Sequence, residues 1–375
     1  MTTRTPRTRP LAGPEPRIPA PSPVSRWHLR RPGAGFPMLL GVLCLALGTS
    51  VLLAVGVGPV AIPPGTSARI VAHHLLPGLI DPDWQIVQDR IVWTFRLPRT
   101  LLAVVVGAGL AVVGTVLQAV VRNPLADPYL LGVSSGASLG AVLVLVLGPA
   151  VAGGLSLSGA AFLGGLLATG LVYLLAQRGG RISPSRLILA GVALAYLFQA
   201  CYSFLLLKTQ PEATQGVLFW LLGSLGGANW ADLTLPTLVL LLGSAVLVLQ
   251  ARPLNSLLAG DETAVSLGLN VNRFRVQLLV VTSLLVGVMV AISGAIAFVG
   301  LIVPHMVRLV VGADHRRVLP VAVLTGAVFL VLVDLAARTV NQPAELPLSI
   351  VTALVGVPFF LWLLRRRERG REVYG

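Results

Sequence analysis

Asp261 and Glu262 stand side by side inside the stretch LNSLLAGDETAVSLGLNVNRFR (254–275), which Arg273 and Arg275 close. The chain on either side is almost unbroken Leu, Val, Ala and Gly. Leu254, Leu257, Leu258, Ala264, Leu267 and Leu269 supply an apolar side, and Gly260 and Gly268 punctuate the run. The pattern predicts two short helices with a turn near Gly260–Asp261. Glu262 then falls near a helix start, where the dipole favours an acid. The chemistry open to such a segment is recognition. A short amphipathic element can lie in a cleft of a soluble partner, or on a membrane surface. Acids are poor company for anionic lipid, which favours the partner.

Few other residues could do chemistry. Asp334 is the acid set well inside an apolar run, four residues before Arg338, and the two can pair at a helix end. His73 and His74 are adjacent; a metal site is possible, but adjacent histidines without partners are more often solvated. His305 follows Pro304 near a helix break, where packing is the simpler role than ligand binding. Cys44 and Cys201 each lie in an apolar run, which argues against a disulfide or a metal pair. No catalytic residue, metal site or cofactor is expected.

The elements that must position these residues cross a membrane. The chain is 55% hydrophobic and 11% charged, with mean hydropathy +0.86, where soluble domains carry about 25% charged residues. The net charge of +14 does not imply nucleic acid, because the arginines sit in short clusters between apolar runs. A spanning helix needs about 20 mostly apolar residues. Ten candidates appear: 36–57, 97–121, 129–149, 154–177, 186–207, 232–250, 275–295, 297–311, 318–339 and 347–364. With the N-terminus inside, the cytoplasmic segments hold 22 of the 28 Lys and Arg, as the positive-inside rule asks. Dropping the short eighth span, with Pro304, His305 and Arg308, would put the Arg-rich C-terminus outside. The fold class is therefore an all-α polytopic membrane protein of about ten helices, both termini cytoplasmic. Its parts are a Pro/Arg-rich cytoplasmic tail (1–35), expected to be disordered, a ten-helix domain (36–365) carrying the inside segment 254–271, and a C-terminal tail (366–375). A signal peptide is the rival reading of the start, but the run from Phe36 to about Gly58 is longer than a signal's apolar core. Small residues recur three or four apart in GAGLAVVG (107–114), GASLG (136–140), GAAFLGG (159–165) and GAIAFVG (294–300), as in close helix packing. Trp84 and Trp93 suit the interface belt.

No span carries a column of charges, which speaks against an ion-coupled transporter and excludes a voltage sensor. A phosphate-binding P-loop needs Gly-x-x-x-x-Gly-Lys-Ser/Thr. The one lysine, Lys208 in LLLKTQ, has no glycines before it. If transport is ATP-driven, a separate subunit supplies the ATPase and meets this chain on the cytoplasmic side.

RLPRTLLAVVVGAGLAVVGTVLQAVVRNPLADPYLLGVSSGASLGA (96–141) resembles the signature region of FecCD-type permeases, membrane subunits of type II ABC importers for iron–siderophores, haem and vitamin B12. SRLILAGVAL (185–194), GDETAVSLGL (260–269), GAIAFVGLIVPHMVRLVVGADHRRVLP (294–320) and AELPLSIVTALVGVPFFLWLL (344–364) follow in family order. The resemblance implies a permease in the bacterial cytoplasmic (inner) membrane, a second permease subunit (a copy or a paralogue), two ATPase subunits, and an extracytoplasmic binding lipoprotein or periplasmic protein. It implies no nucleic-acid partner; its other contact is membrane lipid. It makes Gly260, Asp261, Glu262, Ala264, Leu267 and Gly268 the coupling helix on the ATPase. It makes Arg96, Arg99 and Arg338 docking points for acids of the binding protein, and Ser183, Pro184 and Ser185 part of a cytoplasmic gate. RNPLADP (122–128) reads as a structural link in which Asn123 can cap exposed backbone. The expected cargo is an iron–siderophore complex, the commonest substrate of such permeases, with cobalamin and haem as alternatives in the same machine. The rival of another class is an ion-coupled secondary transporter.

Overall fold

The computed structural model describes residues 35–78, 80–150, 153–179 and 181–372. Contacts divide the chain into residues 1–39 and 40–375; of the first unit, residues 35–39 are described, as the start of a helix. The tail expected over 1–35 therefore lies, apart from its last residue, outside the described residues.

The elements begin with α1 (Gly35–Gly56) and the short α2 (Pro64–Leu75). α3 (Ile86–Arg90) passes through a π-helical stretch, Ile91–Arg96, straight into α4 (Leu97–Val121). A 3-10 turn at Pro128–Leu131 precedes α5 (Val133–Leu147), and α6 (Leu157–Ala176) follows. A two-residue hairpin, β1 (Gln177–Arg178) antiparallel to β2 (Arg181–Ile182), leads into α7 (Pro184–Leu207). Then come α8 (Pro211–Leu221), α9 (Ala231–Leu249), α10 (Ala251–Leu258) and α11 (Asp261–Ser266). α12 (Val271–Ser293), α13 (Val299–Val311), α14 (His315–Thr339) and α15 (Leu348–Glu372) follow.

Among the described residues, seven helices are long and apolar enough to cross a membrane, and three shorter apolar ones, Val133–Leu147, Val299–Val311 and Leu348–Leu363, lie at the remaining predicted spans. The shortest predicted span, 297–311, is shortened further because Phe298 takes a left-handed backbone (φ 70) and starts α13 only at Val299. The span predicted from 129 is broken at Gly132 (φ 71), which ends the 3-10 turn and begins α5. The helix predicted from 97 starts eleven residues earlier, at Ile86. α15 runs past the apolar region to Glu372, so the first part of the segment read as a C-terminal tail is helical.

α4 is the axle of the bundle. It packs on α14, α13, α12 and α9, while α5 packs on α6 and α7. Its sequence explains the position: Ala, Val and Gly occur on every side, so no polar stripe has to face water. Gly107 meets Gly326 of α14, and Gly114 meets Gly300 of α13; a Cβ at either would collide with the facing carbonyl. Backbones this close gain dispersion contacts that larger residues would forbid. His305 is buried in α13 with its ring centroid 6.2 Å from those of Phe359 and Phe360, the packing role expected for it.

Candidate functional site

Charged and polar side chains collect at the two ends of the bundle. At the end predicted to be cytoplasmic, the charged insert forms two helices that meet at Gly260, whose φ of 111 suits glycine. Leu254 and Leu257 bury one side of α10. Asn255 fixes the other end of the segment: its Nδ2 donates to Asp314 at 2.7 Å, and its Oδ1 accepts from the His315 backbone N–H at 2.9 Å. In α11 only Ala264 is buried. Glu262 and Thr263 are exposed, with Val265 60% and Leu267 68% exposed. Gly268 (φ 82) ends the turn. A short helix thus presents an acid and two branched apolar side chains to whatever lies beyond it.

Asp261 turns the other way. Its two carboxylate oxygens accept from Nη1 and Nη2 of Arg275 at 3.0 and 2.8 Å, and Arg122 lies 3.4 Å from the same carboxylate. Arg275 has only 4% of its side chain exposed. Arg122 is itself in the left-handed region (φ 54) where α4 ends. Of the residues expected to couple, Gly260, Asp261, Ala264 and Gly268 shape the segment, and Glu262 and Leu267 face outward.

The expected gate residues lie beside this group. Pro184 is in the first turn of α7, Ser183 precedes it half-buried, and Ser185 is exposed. The preceding Ile182 is held through its backbone: its N–H donates to Asn272 Oδ1 at 3.0 Å, and its carbonyl accepts from Arg275 Nη1 at 3.5 Å. A groove of about 780 Å³ opens between this hairpin and α11, lined by Ile182, Glu262, Val265, Leu269 and Asn272 among others. In the neighbouring link, Asn123 Oδ1 accepts from Leu125 N–H at 2.9 Å, the capping role expected of it. Asp127 does the same for Tyr129 N–H at 2.9 Å. Burial pushes the Asp127 carboxyl up to about 6, against the pull of that hydrogen bond.

At the opposite end, Arg96, Arg99 and Arg338 come together, and all three are buried. Arg96 Nη1 donates to the carbonyls of Val55 and Gly56 at 3.0 and 2.8 Å, and Nη2 reaches Val60 O. Arg338 Nη2 donates to Ala54 O at 2.9 Å. These carbonyls close α1, so two guanidiniums act as its C-terminal cap. The Asp334–Arg338 pair expected from the sequence is present at 3.0 Å. Asp334 also accepts from Arg99 Nε at 2.9 Å, and Arg99 Nη1 donates to Glu345 at 2.8 Å. Arg99 and Arg338 thus share Asp334, Arg99 also holds Glu345, and Arg96 is held by backbone carbonyls. Docking through these arginines requires them to be drawn from internal partners, which arms extended into solvent would not need.

His73 and His74 belong to the same end and depart from the solvated reading. His73 Nδ1 lies 2.7 Å from Ile80 O, and His74 Nε2 lies 3.1 Å from both carboxylate oxygens of Asp89. The His74 ring stacks on Trp93 at 4.1 Å, Trp93 meets Trp230 at 4.7 Å, and Trp84 Nε1 donates to Asp89. The tryptophans expected at the membrane interface therefore also anchor the segment that feeds α4.

Sequence reasoning assigned no role to Asn272, Glu345 or Asp127, and marked Arg275 only as the end of the charged stretch. Asn272 and Arg275 look like ordinary helix-start residues, and only the chain's folding brings Ile182 to them.

The family described as the FecCD transport family matches residues 44–366. The chain is 49% identical over 279 residues to the cobalamin import system permease protein BtuC of Halobacterium salinarum, covering 74% of each chain. It is 44% identical over 296 residues to the hemin transport system permease protein HmuU of Yersinia pestis, covering 77% of this chain and 88% of that one. A solved structure described as an inward-facing metal-chelate type ABC transporter superposes with TM-score 0.77 at 35% identity, covering 88% of this chain and all of the other.

Proposed function

We propose, for a chain that belongs to the FecCD transport family and is therefore a membrane permease subunit of an ATP-binding-cassette importer, that its cargo is a metal chelate. The chain is a multi-pass protein of the cytoplasmic (inner) membrane and not itself an enzyme. Cobalamin is placed first, on the relative named for it at 49% identity. Haem is supported beside it by the 44% relative, and the iron–siderophore expected from the sequence stays in the same test.

The mechanism we assign is alternating access. Ten spans with both ends inside form half of a pathway, and a second permease, two ATPases and a binding protein complete the machine. ATP binding closes the ATPases; α11 is pushed through Glu262, Val265 and Leu267; and the segment at Ser183–Ser185 opens or shuts the inner mouth. The observation that carries this reading is the single short helix whose inward acid is fastened while its outward face is left bare. On the outer side, Arg96, Arg99 and Arg338 receive carboxylates from the binding protein, for which forked guanidinium pairing is well suited. Exchanging Arg96 and Arg99 together for Glu is expected to weaken docking of the binding protein, measured beside the thermal stability of the variant. Docking unaffected by both changes counts against that role.

Uptake by cells with and without this chain tests the cargo. Three arms offer labelled cyanocobalamin, haemin, and radio-iron on the organism's secreted siderophores. Loss of cobalamin uptake alone is expected. Loss in only one other arm keeps the machine and changes the cargo, and loss in none overturns the chelate reading.

A further inference from the structure

One guanidinium joins two segments that lie far apart in the chain. Arg275, in the first turns of α12, grips both oxygens of Asp261 at 2.8 and 3.0 Å. The same Nη1 reaches the carbonyl of Ile182, immediately before Ser183, at 3.5 Å. Asn272, one turn earlier on α12, accepts from the Ile182 N–H at 3.0 Å. The backbone of Ile182 is thus held on both its donor and its acceptor side by the start of α12, and the start of α12 is clamped to α11. The guanidinium and the backbone it holds are shielded, with Arg275 4% exposed and Ile182 buried, while the Asp261 side chain stays 39% exposed. Arg122, from the end of α4, touches the same carboxylate at 3.4 Å with about two-fifths of each side chain exposed, so it is the looser partner.

We propose that Arg275 is a positioning residue for transport, transmitting movement of α11 to the segment that opens α7, with Asn272 completing the grip. The inference rests on the reading that α11 meets an ATPase and that 183–185 gates the pathway. Its physical basis is shape. A guanidinium is a flat fork that can hold two carboxylate oxygens and a third acceptor together, whereas a lysine is a single point charge on a flexible stem. Displacing α11 while the fork stays closed moves Arg275, and with it Asn272 and Ile182. A lysine keeps the charge but lets the two segments slip.

The test uses the whole transporter, the permease with its ATPases and binding protein, in proteoliposomes, with labelled cyanocobalamin as cargo, or haemin if the uptake comparison selects it. Cargo moved per ATP hydrolysed is the readout, since a structural defect would lower both together. Arg275→Lys is expected to cut that ratio about tenfold, a coupling change of the size known between linked sites, with the complex intact and hydrolysis persisting. Asn272→Ala, which removes no charge, is expected to cut it about threefold. An unchanged ratio in either intact variant overturns the proposal, as does a proportional fall of transport and hydrolysis. Should Arg275→Lys fail to assemble, Asn272→Ala alone decides. Wild-type transport that needs no ATP overturns this inference and the importer reading together; ATP-driven wild-type transport with unchanged ratios overturns this inference alone.

Discussion

The outer and inner charged groups are built from the same residue types and behave in opposite ways. At the end predicted to be outer, Arg96, Arg99 and Arg338 are buried, and every one holds a backbone carbonyl or an acid of its own chain. At the end predicted to be cytoplasmic, the adjacent acids part company: Asp261 binds Arg275, and Glu262 is exposed. Buried charges are costly unless paired, so the outer cluster first of all holds α1, α4 and α14 together. The inner pair divides one task in two, fastening the helix with one carboxylate and offering the other. The difference teaches that a charged residue's role here follows from what its neighbour has already claimed.

That contrast can be broken most strongly at Asp334. Asp334→Ala leaves Arg99 and Arg338 buried without their shared carboxylate, and breaking a buried pair costs about 3–5 kcal/mol. Thermal unfolding in detergent should show a permease much less stable than wild type; equal stability would mean that the outer cluster does not hold the helices. Next in size comes the inner face. Glu262→Ala combined with Gly268→Ala is expected to lower ATP-dependent uptake by about tenfold, 1.4 kcal/mol, with membrane insertion unchanged. Uptake at wild-type level would deny α11 its coupling role.

A third test sharpens the comparison by taking an acid at the same end that is buried and paired with a backbone N–H rather than with a cation. Asp127 has a folded-state value raised to about 6, above the unfolded value near 3.9. The folded state therefore holds this proton more tightly, and that contribution is complete below about pH 4 and is lost as pH rises through about 6. Asp127→Asn keeps an acceptor for Tyr129 N–H without the charge. It should stabilise the protein clearly at pH 8 and hardly at all at pH 4. Equal melting shifts at both pH values would refute the assignment.

The legible parts were those written in neighbouring residues. Apolar runs placed the helices, Gly260 placed the turn between α10 and α11, and the spacing of four gave Asp334–Arg338. The helical lead-in from Ile86 to Arg96 was hidden because Gln88, Asp89, Arg90 and Arg96 interrupt its hydropathy, while its polar groups are absorbed by His74, Trp84 and the end of α1. The hairpin at 177–182 was invisible because two residues per strand leave no alternation to read. The decisive site contacts were out of reach for the same reason: Arg275 meets Asp261 across a turn and Ile182 from 93 residues away.

The pairing of Arg99 with Asp334 spans 235 residues of sequence. A ribosome adding about 5–20 residues per second needs roughly 10–50 s to cover that interval. During that time α4 is already apolar enough to enter the bilayer, but neither the carboxylate for Arg99 nor the glycine that seats against Gly107 has been made. The helix at the centre of the finished protein thus begins its life at the periphery, with lipid where α14 will be and its arginine stem stretched toward headgroups. Assembly is a replacement of solvent by protein around a rod already in place, and the last third of the chain determines when that rod is enclosed.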